Sequence, residues 1–250
     1  MLMKMFQRVV AANYHNSAVR CNDWSGQRVA SIRPRALLDV GCGDGSLLLR
    51  YLDYKPELFC GIEAAPELKQ QAEKRGWNVL AVDLNGRWPH GDSSFDVVHS
   101  AQVIEHLHHT RMFVQETFRV LKPSGKALVT SENLTSLLNL GAMALGYTPF
   151  TLMRVCGWYL GNPLGLHYQE AVPEEVPIDH PAFAGVTGHI RALSVLQAKE
   201  LFERVGFETK ASSLGLMPLP DWLGRPLEKL APRRGHFLLI EARKPDRLVH

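Results

Sequence analysis

Ala36-Leu37-Leu38-Asp39-Val40-Gly41-Cys42-Gly43-Asp44-Gly45-Ser46 decides the fold. An apolar run carries an acid near its end. Three glycines come after it at every second position, and a helical pattern then begins. These are the parts of a nucleotide-binding strand, loop and helix. Glycine has no Cβ and tolerates positive φ, so the backbone can turn sharply and lie close to a ligand. Amides at the start of the next helix point at the same place and favour an anionic group. A structural strand-to-helix turn has the same local composition, so the loop needs support from residues farther along the chain. A dinucleotide fingerprint requires G-x-G-x-x-G. Here the third glycine comes one residue early, at Gly45, and Ser46 holds the dinucleotide position.

Downstream of the loop, Leu58–Ile62 forms an apolar strand that ends at Glu63. An acid at the end of the second strand, about 20 residues beyond the glycine loop, is placed to accept hydrogen bonds from ribose hydroxyls. A carboxylate offers two acceptor oxygens, which suits a vicinal diol; Ala64 is next to it. Pro66 suits the first turn of a helix running to about Arg75, and Gly76 stops it. Asn78–Val82 reads as a third strand, with Asp83-Leu84 after it. Ser93–Ser100 reads as a fourth, and Ala101-Gln102-Val103-Ile104-Glu105-His106-Leu107 comes next. The carboxyl end of a central strand is where open α/β sheets bind ligands, which draws attention to Ser100 and Ala101. A helix over Thr110–Leu121 ends at the stop Lys122-Pro123-Ser124-Gly125, and Lys126–Ser131 reads as a fifth strand.

The pattern D-x-G-x-G-x-G from Asp39 to Gly45 resembles motif I of the class I S-adenosylmethionine-dependent methyltransferases. The acid-histidine pair Glu105-His106, with Leu107 after it, resembles the segment after strand four in the group that includes ubiquinone and menaquinone methyltransferases. The run Leu121 to Asn133 resembles the helix-turn-strand that comes next there. The resemblance spans residues 36–131 in order, and 190–242 more loosely. It implies an α/β, Rossmann-like, doubly wound fold: a mostly parallel seven-stranded sheet with helices on both faces and an antiparallel last strand. It implies S-adenosylmethionine as methyl donor, with S-adenosylhomocysteine as product. Asp39, Gly41, Cys42 and Gly43 would hold it in the loop, Glu63 and Ala64 at the ribose, and Asp83 and Leu84 at the adenine, with Ser100 and Ala101 beside them. Asp83 would accept from the adenine amino group, and Leu84 would supply a backbone amide.

The 250 residues suit one domain. It divides into an N-terminal helical cap (1–35), the cofactor core (36–131), a substrate-lid insertion (132–190) and the C-terminal part of the sheet (191–250). The cap reads as a partial helix around Phe6–Tyr14 and a second around Asp23–Ile32, with Tyr14 packing rather than touching ligand. A helix over residues 46–54 is expected after the glycine loop. Asn133–Met153 has no charged residue and the length of a bilayer span. Gly141, Gly146 and Pro149, and its place between sheet strands, favour an apolar lid instead. Residues 170–182, with Glu170, Glu174, Glu175 and Asp179, read as a solvated loop. Ser194 and Gln197 form a capping box that starts a helix at Val195. Phe207–Ser213 and His236–Ala242 read as the last strands, with a loop or short helix between Leu216 and Pro232.

The net charge of +3 is too small to argue for nucleic acid. The four cysteines, Cys21, Cys42, Cys60 and Cys156, are widely spaced and form no metal or redox motif. A reducing cytoplasm is the simplest setting, and Met1–Phe6 does not have the pattern of a signal peptide. If the acceptor is a hydroxyl or activated carbon, a base must take its proton. His106 and His189 are the candidates by place, with His167 also flanking the insertion. Arg191 would pair with an acidic acceptor or with the acidic loop. His106, His108 and His109 do not easily converge from one helix end, and the acidic ligand pattern of metal-dependent catechol methyltransferases is absent, so no metal is expected. The partner expected is a small-molecule acceptor, apolar or lipid-linked, with loose membrane contact at most. Competing readings are an NAD(P)-dependent oxidoreductase, which needs the longer glycine spacing, a non-catalytic S-adenosylmethionine-binding relative, and aminopropyl transfer, which needs an acidic pair where Gln102 stands.

Overall fold

The computed structural model describes residues 2–152 and 189–246. Period-two alternation within short apolar strands divides the side chains between two faces of a sheet. In β1 (Ala36–Val40), Leu38 and Val40 join one core cluster and Leu37 joins the other. The remaining strands are β2 (Leu58–Ile62), β3 (Asn78–Leu80), β4 (Phe95–Ala101), β5 (Leu121–Glu132), β6 (Glu208–Leu214) and β7 (Phe237–Arg243). They form one seven-stranded sheet in the order β3-β2-β1-β4-β5-β7-β6, parallel except that β7 runs antiparallel to both its neighbours. The Rossmann-like, doubly wound sheet implied by the resemblance is therefore present. Because both faces are covered, β1 is buried along its whole length.

One face carries α4 (Thr110–Val120) and α6 (Val195–Val205) through Phe113, Val114, Val120, Val195, Ala198 and Phe202. The capping box at the start of α6 is closed in both directions, Gln197 N to Ser194 Oγ at 3.2 Å and Ser194 N to Gln197 Oε1 at 3.1 Å. The other face carries α1 (Leu2–Ile32), α2 (Ser46–Leu49) and α3 (Pro66–Lys74) through Val29, Leu48 and Ala72. The connection between β6 and β7 contains α7 (Asp221–Leu227).

The structure corrects three expectations. The cap is one 31-residue helix rather than two. Its buried stripe runs Val10, Asn13, Ser17, Cys21, Ser25 and Val29, and most of these are small or polar. Helical spacing is kept but hydrophobic contrast is lost, so no apolar period marks the middle of the helix. Polar anchors replace it: Arg20 forks onto Glu228 at 2.9 and 2.6 Å, and Arg28 onto Glu241 at 3.0 and 2.8 Å. The helix after the glycine loop is four residues long, not nine, because the next amides bond three residues back: Arg50 N to Leu47 O and Tyr51 N to Leu48 O. The fifth strand starts at Leu121 rather than Lys126, so Lys122–Gly125, expected as the stop after the helix, lies inside it. This run bulges within β5, where the register against β4 shifts from Phe95↔Leu121 to Val97↔Lys126.

Of the uncharged stretch, the described part holds α5 (Leu137–Ala144), whose Leu138, Asn139 and Ala142 are buried. No helix among the described residues is long and apolar enough to cross a membrane. Most of the lid insertion, including His167 and the acidic residues at 170, 174, 175 and 179, lies outside the described residues, as does Cys156.

The approach of α1 to the segment after α2 depends on Gly26. A Cβ there would lie 2.1 Å from Cδ2 of Tyr51, whose hydroxyl donates to Asp23 Oδ1 at 2.7 Å. Gly26→Val is expected to destabilise the protein by about 1–3 kcal/mol through overpacking. Tyr51→Ala should absorb part of that penalty, so a double-mutant cycle in urea should be less than additive; strict additivity would contradict the contact.

Candidate functional site

The order of strands reverses between β1 and β4, which makes their carboxyl ends the switch point of the sheet. The loops that leave β1, β2 and β4, and the one after β3, meet there around a cavity of about 410 Å³. Gly41, Gly43, Glu63, Ala64, Asp83, Leu84 and Ala101 all line it, together with His106. The glycines act in different ways. Gly41 has φ +70, and a Cβ on it would lie 2.3 Å from Cγ2 of Val103. This close approach lets the β1 loop and the β4 loop share one wall. Gly43 has φ +56, and a Cβ there would meet nothing within 4 Å, so its backbone borders open space. Glu63 holds the loop as well as facing the cavity: Oε2 accepts from Gly43 N and Oε1 from Ala65 N, each at 2.9 Å. A carboxylate has further lone pairs for a diol. Asp83 Oδ1 is engaged by Asn85 N and Asn85 Nδ2, both at 2.9 Å. The donor and acceptor set fits a nucleoside: a carboxylate beside a glycine cradle, and a second acid one strand farther along. With α2 only four residues long, helix-terminus electrostatics contribute little to it.

Three expected residues sit elsewhere. Asp39 is 2% exposed and lies under the loop, its Oδ1 2.7 Å from Nδ1 of the fully buried His99 on β4. The two are cross-strand partners in the register. Ser100 is turned inward, donating to Val40 O at 3.0 Å. Cys42 packs its thiol into the second core cluster. Burial first, and then the charges of Asp39 and Glu63, push that thiol far above the ordinary range. It is no nucleophile.

A second cavity of about 130 Å³ adjoins the first, since Gln102 and His106 line both. Tyr14, Cys21, Glu132 and His189 are among its walls. The helical cap thus covers this second cavity and contributes nothing to the lining of the first. Tyr14, expected only to pack, donates from its hydroxyl to Glu132 Oε1 at 2.9 Å. His106 and His189, distant in sequence, have ring centroids 4.9 Å apart. His189 Nδ1 contacts Thr151 O at 2.8 Å and lies 3.7 Å from Glu132 Oε2. Arg191 bonds His108 O through Nε at 3.2 Å.

Sequence reasoning missed Gln102, Glu105 and Glu132. Gln102 stands at φ +55, unusual for a side chain of its size. Its backbone amide on Thr130 O at 3.0 Å and its Nε2 on Thr130 Oγ1 at 3.3 Å hold it there. Strain of this kind gathers at functional sites. Glu132 ends β5 as Glu63 stands just past β2, and the same strand-end rule would have found it. Glu105 is buried; burial pushes its carboxyl up to about 7, against the pull of His189 and of the Ser131 hydroxyl that donates to Oε2 at 2.9 Å.

Residues 38–129 match the methyltransferase domain family. A Mycolicibacterium smegmatis protein named "probable S-adenosylmethionine-dependent methyltransferase" is 53% identical over 108 residues, 40% of this chain and 38% of that protein. The ubiquinone biosynthesis O-methyltransferase of Mus musculus is 31% identical over 110 residues, 40% of this chain and 30% of that protein. The match therefore spans 38% and 30% of these two curated relatives. In three dimensions, an S-adenosylmethionine-dependent methyltransferase from Thermotoga maritima superposes with a TM-score of 0.55 at 17% identity, over 98% of this chain and 100% of that one. That likeness concerns the fold.

Asp39 acts through the frame in this geometry. Asp39→Ala should leave His99 buried without a partner, since its Nε2 already has none. The expected loss is about 1–3 kcal/mol, read as a fall in Tm of roughly 2–4 °C per kcal/mol for a chain of this size. An unchanged Tm would show that the pair contributes nothing to the frame.

Proposed function

We propose that this chain, whose residues 38–129 match the methyltransferase domain family, is a class I S-adenosylmethionine-dependent methyltransferase that transfers a methyl group to a small molecule held in the second cavity. One observation carries the reading: the two cavities meet at Gln102 and His106, at the carboxyl end of β4. When bound, S-adenosylmethionine supplies an electrophilic methyl group, so the protein need provide no covalent nucleophile. Glu63 would take the ribose hydroxyls and Asp83 the adenine amino group, with Leu84, Ala64 and Ala101 closing the walls. Tyr14, Gln102 and Glu132 would orient the acceptor, and holding two reactants in line supplies a large part of a rate enhancement. His106 or His189 would receive the acceptor's proton, for which an imidazole is suited near neutral pH.

The acceptor's reacting end is polar, by the chemistry of the walls. An apolar or lipid-linked body is supported by the uncharged stretch that includes α5, with Met143, Leu145 and Tyr147 exposed beside it, and by the name of the ubiquinone relative. Free, buried Cys21, Cys42 and Cys60 are compatible with work in a reducing cytoplasm.

Calorimetric titration with S-adenosylhomocysteine tests the cofactor half of this reading. The wild type should bind, and Glu63→Gln should weaken binding by about 1–3 kcal/mol, the range for hydrogen bonds to a charged acceptor. Glu63→Ala should lose more, because Gly43 N and Ala65 N then both lose their acceptor, whereas the single amide oxygen of Gln still serves one of them. NADH should give no heat. Absence of S-adenosylhomocysteine binding in the wild type would remove the basis of the proposal.

A further inference from the structure

Where the two cavities meet, a carboxylate and two imidazoles converge. One ligand atom each from Glu105, His106 and His189 lie within 4.8 Å of one another. The expectation of no metal considers His106, His108 and His109, close neighbours in sequence, and the acidic pattern of catechol methyltransferases. The converging trio instead joins the turn after β4 (Ile104–His106) to a residue on the far side of the insertion.

We infer that Glu105, His106 and His189 form a site for one divalent first-row metal ion. Three independent observations support it. First, Glu105 is 2% exposed, and its Oε1 has no hydrogen-bond partner, while Oε2 takes the Ser131 hydroxyl. A buried carboxylate oxygen is expensive unless paired or bound to metal. Second, His189 Nδ1 lies 2.8 Å from Thr151 O. A carbonyl can only accept, so Nδ1 carries the proton and the lone pair of the neutral ring sits on Nε2. That outer contact fixes tautomer and ring orientation, as for metal-bound histidine generally. Third, the chain clamps the trio: Ile190 N and Arg191 N both donate to Glu105 O, at 2.9 and 3.1 Å, which seats His189 beside Glu105.

Metal–ligand bonds of roughly 2.0–2.2 Å require the three atoms to draw in toward the ion. Two imidazoles and a carboxylate suit zinc, manganese, iron or cobalt rather than calcium or magnesium. Three protein ligands leave positions open toward the second cavity, as in catalytic rather than structural sites. An ion there would bind the oxygen of a hydroxyl-bearing acceptor and lower its pKa. With the ion bound, His106 and His189 are ligands and not the base: the O–H bond breaks, the electron pair stays on oxygen, and the proton leaves to water; oxygen then takes the methyl group as the methyl–sulfur bond breaks and its pair stays on sulfur. This assigns oxygen as the acceptor atom. The ion site stands on ligand geometry alone; its role toward the acceptor rests on the methyl-transfer reading.

The test uses untagged full-length protein, stripped with a chelator and titrated with Mn²⁺ or Zn²⁺ by calorimetry, with Mn²⁺ tracked also by electron paramagnetic resonance. One ion per chain is expected. His106→Ala and His189→Ala should each weaken it by ~10-fold or more, the scale seen even for outer-shell changes. Glu105→Gln, which keeps the Ser131 contact, should do the same, and His109→Ala should not. Circular dichroism confirms folding of each variant. Loss of S-adenosylhomocysteine binding with metal binding intact would sink the methyl-transfer role and leave the ion site standing. No metal uptake by the wild type, or uptake indifferent to both histidine variants, would overturn the site whatever the cofactor does.

Discussion

A hydrogen bond closed to water joins the two strands on which everything else depends. Asp39 on β1 and His99 on β4 lie 2.7 Å apart at the point where strand order reverses. Above this pair the two strands release their loops, and Gly41 lets them touch by having no Cβ where Val103 passes. A parallel sheet buried on both faces has few polar groups in its interior. This one places its buried polar pair under the site, where any slip of β1 against β4 would separate the glycine loop from Gln102 and His106.

Above that frame the chemistry is spread along one edge. Glu63 stands just past β2, Asp83 past β3 and Gln102 past β4, and Glu132 ends β5. The first two face a cavity of nucleoside size, and the last faces a smaller one under α1. A single edge therefore carries both cavities, and Gln102 and His106 stand on the boundary between them. The strained φ of Gln102 and the sharp turn at Gly41 are both consequences of bringing two loops to one boundary.

Much of this is legible in the sequence, for identifiable reasons. The strands are short apolar runs punctuated by glycine, proline or acid, so their order can be read, and Glu63 can be placed by distance from the loop. The capping box at Ser194 and Gln197 is a local signal and needs no tertiary context. The middle of α1 is not legible, because Asn13, Ser17, Cys21 and Ser25 fill its buried face without hydrophobic contrast. Asp39 reads as a ligand because motif position says nothing of which way a strand residue points. Alternation from Leu37 turns it toward the core beside His99. The convergence of Glu105, His106 and His189 depends on how the chain returns after the insertion, which no local pattern records.

All of the chemistry proposed for this edge requires its loops to form one donor site. Hydrogen–deuterium exchange with and without S-adenosylhomocysteine tests that requirement most directly. Exchange should slow in four separate segments, around residues 41–46, 63–66, 83–85 and 101–107, with β6 and β7 unchanged. Protection absent from these segments, or confined to another face of the molecule, would contradict a shared donor site.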